Sequence, residues 1–278
     1  GCTRAPHWCC DRCAARRTHR MSLEPAVSGA VAVDEDGLSD GPVVVLVHGS
    51  MDRAAGFAKV SRRLADRYRV IRYDRRGYGR SNPHPGPFTI ADHVSDLIRL
   101  VGDREVVLFG HSLGGNIALA AAERIGARVR AVAIYESPLS WTSWWPRTSA
   151  GMSALASSAD PAEVAEGFMT RMIGTERWQR LPAATRSARL SEGAALIGEI
   201  TSLQSAPPWD AAAIGVPVAV GRGSEGRAHH QRGMELAAGW LPAGQLVTLA
   251  GCGHLAHVTH PDQLTEELIR PLLARIGW

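Results

Sequence analysis

The chain has 278 residues, 45% of them hydrophobic, and 31 lysines plus arginines against 27 aspartates plus glutamates leave a formal surplus of four positive charges. That length and apolar content suit one α/β domain carrying an insertion, without a second independent core. Arg4, Arg12, Arg16, Arg17 and Arg20, set against Asp11, hold the whole surplus, so the neutral body argues against a nucleic-acid or anionic-membrane partner, and no stretch is apolar for long enough to cross a bilayer.

The opening stretch, residues 1–20, also holds Cys2, Cys9, Cys10 and Cys13, leaving Cys252 alone in the body. Cys10 and Cys13 have the spacing of half a zinc site, but a second ligand pair is missing, so no metal site is expected. With no hydrophobic periodicity, residues 1–20 are expected to be a disordered or non-native leader ahead of Met21. They lack the apolar segment of a secretory signal, and one body cysteine makes no disulfide framework; the cytoplasm is the default location.

Val43-Val44-Val45-Leu46-Val47 is the first continuous apolar run of strand length, as expected for a strand buried on both faces of a parallel sheet. Further strands are predicted at Tyr68 to Tyr73, Val106 to Phe109, Val129 to Tyr135, Val216 to Val220 and Leu246 to Leu249. Helical patterns lie near 54–66, 89–102, 113–125, 228–240 and 261–276. Thr89 is the expected N-cap of the second of these, and Pro261 is tolerated at a helix start because its missing N–H would be unpaired there. This alternation implies a mainly parallel α/β sheet. It stops between Pro138 and Pro208, where about seventy residues of helix-like sequence intervene. The expected organisation is therefore a core of 21–137 and 209–278 with a helical cap at 138–208. The aromatic crowding of that insertion makes Trp141, Trp144 and Trp145 candidate walls of an apolar pocket, with ordinary packing as the alternative.

Gly110-His111-Ser112-Leu113-Gly114 sits between the Val106 strand and an apolar helix. A serine there occupies a nucleophile elbow, where the backbone reverses too sharply for a Cβ two residues before or after it. The turn exposes the hydroxyl and leaves the Leu113 N–H at a helix start, ready for an oxyanion. His48-Gly49-Ser50-Met51 ends the Val43 strand, and the Ser50 N–H, or alternatively that of Met51, is the expected second donor. Serine needs a general base. His254, in Gly251-Cys252-Gly253-His254 after the last predicted strand, falls at the same carboxyl edge as Ser112. His257 is expected beneath the loop, His260 at the surface, and His48 and His111 in hydrogen-bonding roles.

HGS at 48–50, YDRRGYGRS at 73–81, GHSLGG at 110–115 and GCGHLAH at 251–257, followed by Pro261, occur in an order that resembles the α/β-hydrolase fold enzymes from about residue 26 onward. The resemblance implies an eight-stranded sheet, a helical cap, and a nucleophile, acid and histidine in that chain order. Ser112 separates the chain from relatives that attack with an aspartate. Members usually place the acid after the family's seventh strand, where this sequence has Gly226 with Glu225 one residue early. Others place it after the sixth, which here ends in Ala133-Ile134-Tyr135-Glu136. Glu136 is the favoured acid and Glu225 the alternative.

The reading is a serine hydrolase without a cofactor, acting on an ester, thioester or lactone of a small to medium apolar molecule. The alternatives are a carbon–carbon bond hydrolase or perhydrolase with the same triad, or a low-turnover receptor of the same fold.

Overall fold

The computed structural model describes residues 31–278. The expected leader, its cysteines and Met21 lie outside that range. The chain runs β1 (Ala32–Gly37), β2 (Val43–Val47), α1 (Ala58–Leu64), β3 (Arg69–Asp74), α2 (Ile90–Val101), β4 (Val106–His111), α3 (Leu113–Ile125) and β5 (Val129–Tyr135). Five helices follow: α4 (Ala150–Ser157), α5 (Pro161–Ile173), α6 (Thr175–Arg180), α7 (Ala183–Leu190) and α8 (Gly193–Ser205). The core resumes with β6 (Val218–Gly223), α9 (Ala228–Trp240) and β7 (Gly244–Leu249).

The sheet order is β1-β3-β2-β4-β5-β6-β7, with β1 antiparallel to β3 and every other pair parallel. The expectation of eight strands thus counts one more than the described residues form. All five residues of β2 are buried, because a strand between two parallel neighbours is covered by helices on both faces. Each such side chain contributes roughly 1.5–3 kcal/mol of hydrophobic stabilisation. Strand β2 pairs with β3 on one side and β4 on the other, so the winding direction reverses at β2, and an open α/β sheet has its ligand crevice at the carboxyl ends beside such a reversal.

Register fixes what meets there. His111 pairs with Tyr135, and Tyr135 with Gly221, so Ser112 and Glu136 are the next residues out along adjacent strands. β6 and β7 end together at Gly223 and Leu249, which brings the 250–254 loop to the same edge. Thr89 caps α2 as expected, accepting from the Asp92 N–H. The terminal pattern, expected as one helix over 261–276, is split into Pro261–Gln263, a π-helical turn Leu264–Ile269 and Arg270–Arg275. Pro271 lacks the N–H that the α-ladder needs and its ring collides with the preceding turn, so the register widens ahead of it.

Helices α4, α5, α6 and α8 share a separate apolar cluster, which includes Val164, Phe168, Trp178, Leu196 and Ile200. Two buried carboxylates tie this insertion to the YDRRGYGRS segment. Glu199 on α8 accepts from the Arg75 guanidinium at 2.7 Å and from the Tyr78 hydroxyl at 2.6 Å, with Arg75 and Glu199 both fully buried. Glu192 accepts from the Gly79 N–H at 2.9 Å and from Arg53 at 2.7 Å. Removing one partner of a buried pair strands the other charge, at a cost of roughly 3–5 kcal/mol.

Candidate active site

Ser112 has φ 53° and ψ −128°, a left-handed conformation that a residue with a Cβ adopts only when the surroundings enforce it. The enforcing contacts are close. Its N–H donates to the Tyr135 carbonyl at 2.8 Å and its carbonyl accepts from the Gly115 N–H at 2.9 Å. A Cβ at Gly110 would lie 2.4 Å from the Gly114 carbonyl oxygen, and one at Gly114 would lie 2.2 Å from that of Val47. The two flanking glycines are therefore required sterically. Ser112 is partly exposed, and Leu113 opens helix α3, whose first N–H groups have no partner within the helix.

Glu136 is fully buried and also has a positive φ, 47°. Its N–H donates to the Gly221 carbonyl at 3.0 Å, and its carboxylate is held at both oxygens. Oε1 accepts from the Gly223 N–H at 3.0 Å, and Oε2 lies 2.8 Å from His254 Nδ1. A carboxylate there accepts, which puts the imidazole proton on Nδ1 and leaves Nε2 as the basic nitrogen. The histidine loop is positioned in turn by two groups at strand ends. The His111 ring donates to the His254 carbonyl at 2.8 Å, and the Tyr135 hydroxyl donates to the Gly253 carbonyl at 3.0 Å.

Gly226, where the usual family acid would stand, has a steric explanation here. A Cβ there would lie 2.2 Å from Glu136 Oε1 and 3.1 Å from its Cδ. The alternative acid Glu225 does not fit: it is exposed, and its N–H donates to the Cys252 carbonyl at 2.9 Å. Among the described residues its carboxylate makes no hydrogen bond to His254.

A cavity of about 280 Å³ opens over this edge. Ser50, Ser112, Leu113 and His254 line its floor, while residues of α4, α5 and α8, among them Met152, Phe168 and Ile200, line the opposite side. Trp145 is in the wall, but Trp141 and Trp144 are not. Trp141 packs edge-on against Trp209, ring centroids 5.7 Å apart, and Trp209 is fixed by donating to Asn116 Oδ1 at 3.0 Å. Trp144 lies against Trp145 and under the Arg232 guanidinium, 4.6 Å from its ring. Aromatic surface there is consumed by core packing. Ser50 lines the cavity, whereas the Met51 side chain is buried in the insertion's apolar cluster.

The remaining histidines divide as the sequence suggests. His48 is buried, its Nδ1–H donating to the Gly49 carbonyl at 2.8 Å and its Nε2 accepting from the Arg75 N–H at 2.9 Å. Burial, with the Arg75 charge, pulls its pKa down to about 3. His257 is buried beside Asp52, 3.0 Å from its carboxylate, and His260 is exposed. Asp52, His111 and His257, and likewise Glu136, His230 and His254, gather possible ligand atoms within 4.8 Å of one another. In both groups the carboxylate already has an imidazole partner.

Sequence reasoning missed His229, His230, Arg227 and Arg171, all in the cavity wall. The His230 ring lies 4.7 Å from that of His254, and burial holds the pKa of His230 well below the usual imidazole range. The one available signal was position. Arg227-Ala228-His229-His230 opens a helix just beyond a strand's carboxyl end, as Leu113 does.

The family model described as "Alpha/beta hydrolase family" matches residues 44–267. The pimeloyl-[acyl-carrier protein] methyl ester esterase of Xanthomonas oryzae pv. oryzae is 27% identical over 252 residues, covering 84% of this chain and 96% of that protein. The enol-lactonase from Burkholderia xenovorans superposes with a TM-score of 0.69 at 25% identity, covering 88% of this chain and 96% of that one. A probable oxidoreductase of Mycobacterium tuberculosis, EphD, is 43% identical over 75 residues, a match that spans only 13% of its length. The family match runs from β2 to the terminal helical segment and so takes in every element that shapes the candidate site; the chain belongs to the alpha/beta hydrolase family.

Proposed function

We propose that the chain is a serine hydrolase that opens an ester, thioester or lactone through an acyl-enzyme, with 138–208 as the cap over its site. The observation that carries this is the buried Glu136 carboxylate 2.8 Å from His254 Nδ1, at a cavity whose wall also holds Ser112 on its left-handed turn. His254 Nε2 takes the proton from Ser112 Oγ as that oxygen attacks the substrate carbonyl carbon. Glu136 keeps the imidazole in the tautomer that can do this and stabilises the imidazolium that forms. The Leu113 and Ser50 N–H groups receive the oxyanion, each such donor being worth about 10²- to 10³-fold in turnover. Collapse expels the alcohol, thiol or ring oxygen, which takes the proton from His254. Water then attacks the acyl-enzyme by the same steps, with His254 as base, and releases the acid and Ser112. The names of the methyl ester esterase and the enol-lactonase support this bond class.

The test is labelling with a fluorophosphonate and turnover of p-nitrophenyl butyrate by wild type and Ser112→Ala. We expect labelling at Ser112 alone, and a loss of about 10⁶-fold in kcat in the variant, the scale seen when a triad nucleophile is removed. Retention of more than a few per cent of activity by Ser112→Ala would exclude the mechanism.

A further inference from the structure

The cavity wall carries permanent positive charge on two exposed arginine side chains, Arg171 and Arg227. Arg171 comes from α5 on the cap side and Arg227 from the turn before α9 on the core side. No aspartate or glutamate lines the cavity, and among the described residues neither guanidinium makes an ion pair or hydrogen bond, the Arg227 carbonyl accepting from the His230 and Gln231 N–H groups. Phe168, Arg171 and Met172 stand at i, i+3 and i+4 on one face of α5, all turned into the cavity. Exposed and without an ion pair, the Arg171 guanidinium contributes little to folding and is free to meet a ligand at the cavity. The imidazoles beside it do not add to the charge: His229 and His230 have their pKa values lowered by burial first and by neighbouring positive groups second. The wall is therefore two fixed cations set among apolar surface.

Resting on the hydrolase reading above, we propose that the substrate is an ester, thioester or lactone whose acyl chain ends in a carboxylate, held by Arg171 and Arg227 while its carbonyl lies at Ser112. The apolar wall between them takes the methylene chain, and the planar guanidinium forks match a carboxylate in two parallel hydrogen bonds. This narrows the apolar acyl group expected from the tryptophan content. Two fixed cations disfavour a neutral chain end that gives them no anion, and they repel a cationic one.

Three p-nitrophenyl esters of equal chain length test it: the adipate monoester, the hexanoate and the 6-aminohexanoate. The order of kcat/KM is expected to be anion, then neutral, then cation, with the preference for the anion shrinking in 0.5 M salt, a concentration at which the screening length is about 4–5 Å. Arg171→Gln and Arg227→Gln should each lower the anion-to-neutral ratio by about five- to tenfold, the worth of a charge-assisted hydrogen bond in a partly solvated site. Arg62→Gln, the same charge change on the exposed face of α1, should leave the ratio at its wild-type value. Wild type that favours the hexanoate, or ratios unmoved by both cavity variants, would overturn the carboxylate assignment while labelled Ser112 leaves the hydrolase intact. Failure of Ser112 to label would remove both.

Discussion

Replacing Gly226 by alanine should disable the site without adding or removing a chemical group that takes part in it. The new Cβ would lie 2.2 Å from Glu136 Oε1 and 3.0 Å from the Gly223 carbonyl oxygen. Ordinary contact begins at 3.4 Å, so the carboxylate must retreat by more than about 1 Å. That movement cannot keep both the 3.0 Å bond from Gly223 N–H and the 2.8 Å bond from His254 Nδ1. Displacement of this size in a reacting array typically costs about 10²-fold, and complete loss of the carboxylate's hold on the imidazole about 10⁴-fold. The expected fall in kcat therefore lies between these limits, with KM little changed. Gly226 has no positive φ, so backbone strain does not confuse the result. Gly215, where a Cβ meets nothing within 4 Å, is the control for a glycine-to-alanine change as such. The decisive measurement is a double-mutant cycle in steady-state ester hydrolysis. In a Glu136→Ala background the collision partner is gone, so Gly226→Ala should cost less than threefold. A single Gly226→Ala variant that keeps kcat within threefold of wild type would refute the steric argument, as would equal losses in both backgrounds.

Glu136→Gln should lower kcat by about 10³- to 10⁴-fold through loss of the imidazole tautomer, while Glu225→Gln should cost less than tenfold; parity between the two would displace Glu136 from its assigned role. Trp145→Ala should change the relative kcat/KM of short and long acyl esters because its ring is in the cavity wall, whereas Trp141→Ala should lower Tm and leave that ratio alone. Stability should fall on acidification. Burial is the chief reason that the pKa of His93 is brought down to about 4 and that of His48 to about 3. Unfolding restores both to about 6.5, so the unfolded chain binds more protons below that pH, and stability is lost as pH drops from about 6.5 through these values, by up to about 1.4 kcal/mol per pH unit for each group. Urea midpoints from pH 7.5 to 4.5 should show the decline, with a shallower slope for His93→Gln; a flat profile in wild type would contradict the neutral, buried histidines.

Most of this fold was legible because its signals are local. Val43 to Val47 must be buried on both faces, and Gly110 and Gly114 bracket a turn that no other residue tolerates. Strand β1 was not legible. Its Asp34, Glu35 and Asp36 form no apolar pattern, and the strand is held by charges supplied from the neighbouring strand and the loop after it: Arg72 reaches Asp36 at 3.0 Å, Arg69 reaches Glu35 at 2.7 Å, and Arg80 reaches Asp34 at 2.9 Å. Cross-strand pairing of that kind depends on register, which single-sequence periodicity does not contain. The division among the tryptophans was hidden for a related reason. Five of the eight fall in or just after the insertion, but whether a ring meets the cavity or Trp209 depends on how the insertion sits on the core.

Gly226 and Glu136 show how the site's departure from the common family pattern coheres. The two positions are ninety residues apart in sequence, yet they compete for one volume beside His254. A carboxylate reaching His254 from the end of β5 fills the space that a side chain after β6 would need, so glycine at 226 is the complement of glutamate at 136. Gly223 belongs to the same arrangement: a Cβ there would lie 2.0 Å from the Cys252 carbonyl oxygen and 2.6 Å from the Tyr135 hydroxyl, and its N–H donates to Glu136 Oε1. Moving the acid back to position 226 is therefore a concerted change. Gly226→Asp alone should behave like Gly226→Ala, with like charges added to the collision, and should lose at least as much kcat. Glu136→Gly/Gly226→Asp removes the obstruction and supplies a new carboxylate, and it should recover at least tenfold over Gly226→Asp. A double variant no better than the single one would show that the two positions do not share one space, and the steric reason for glycine at 226 would fall with it.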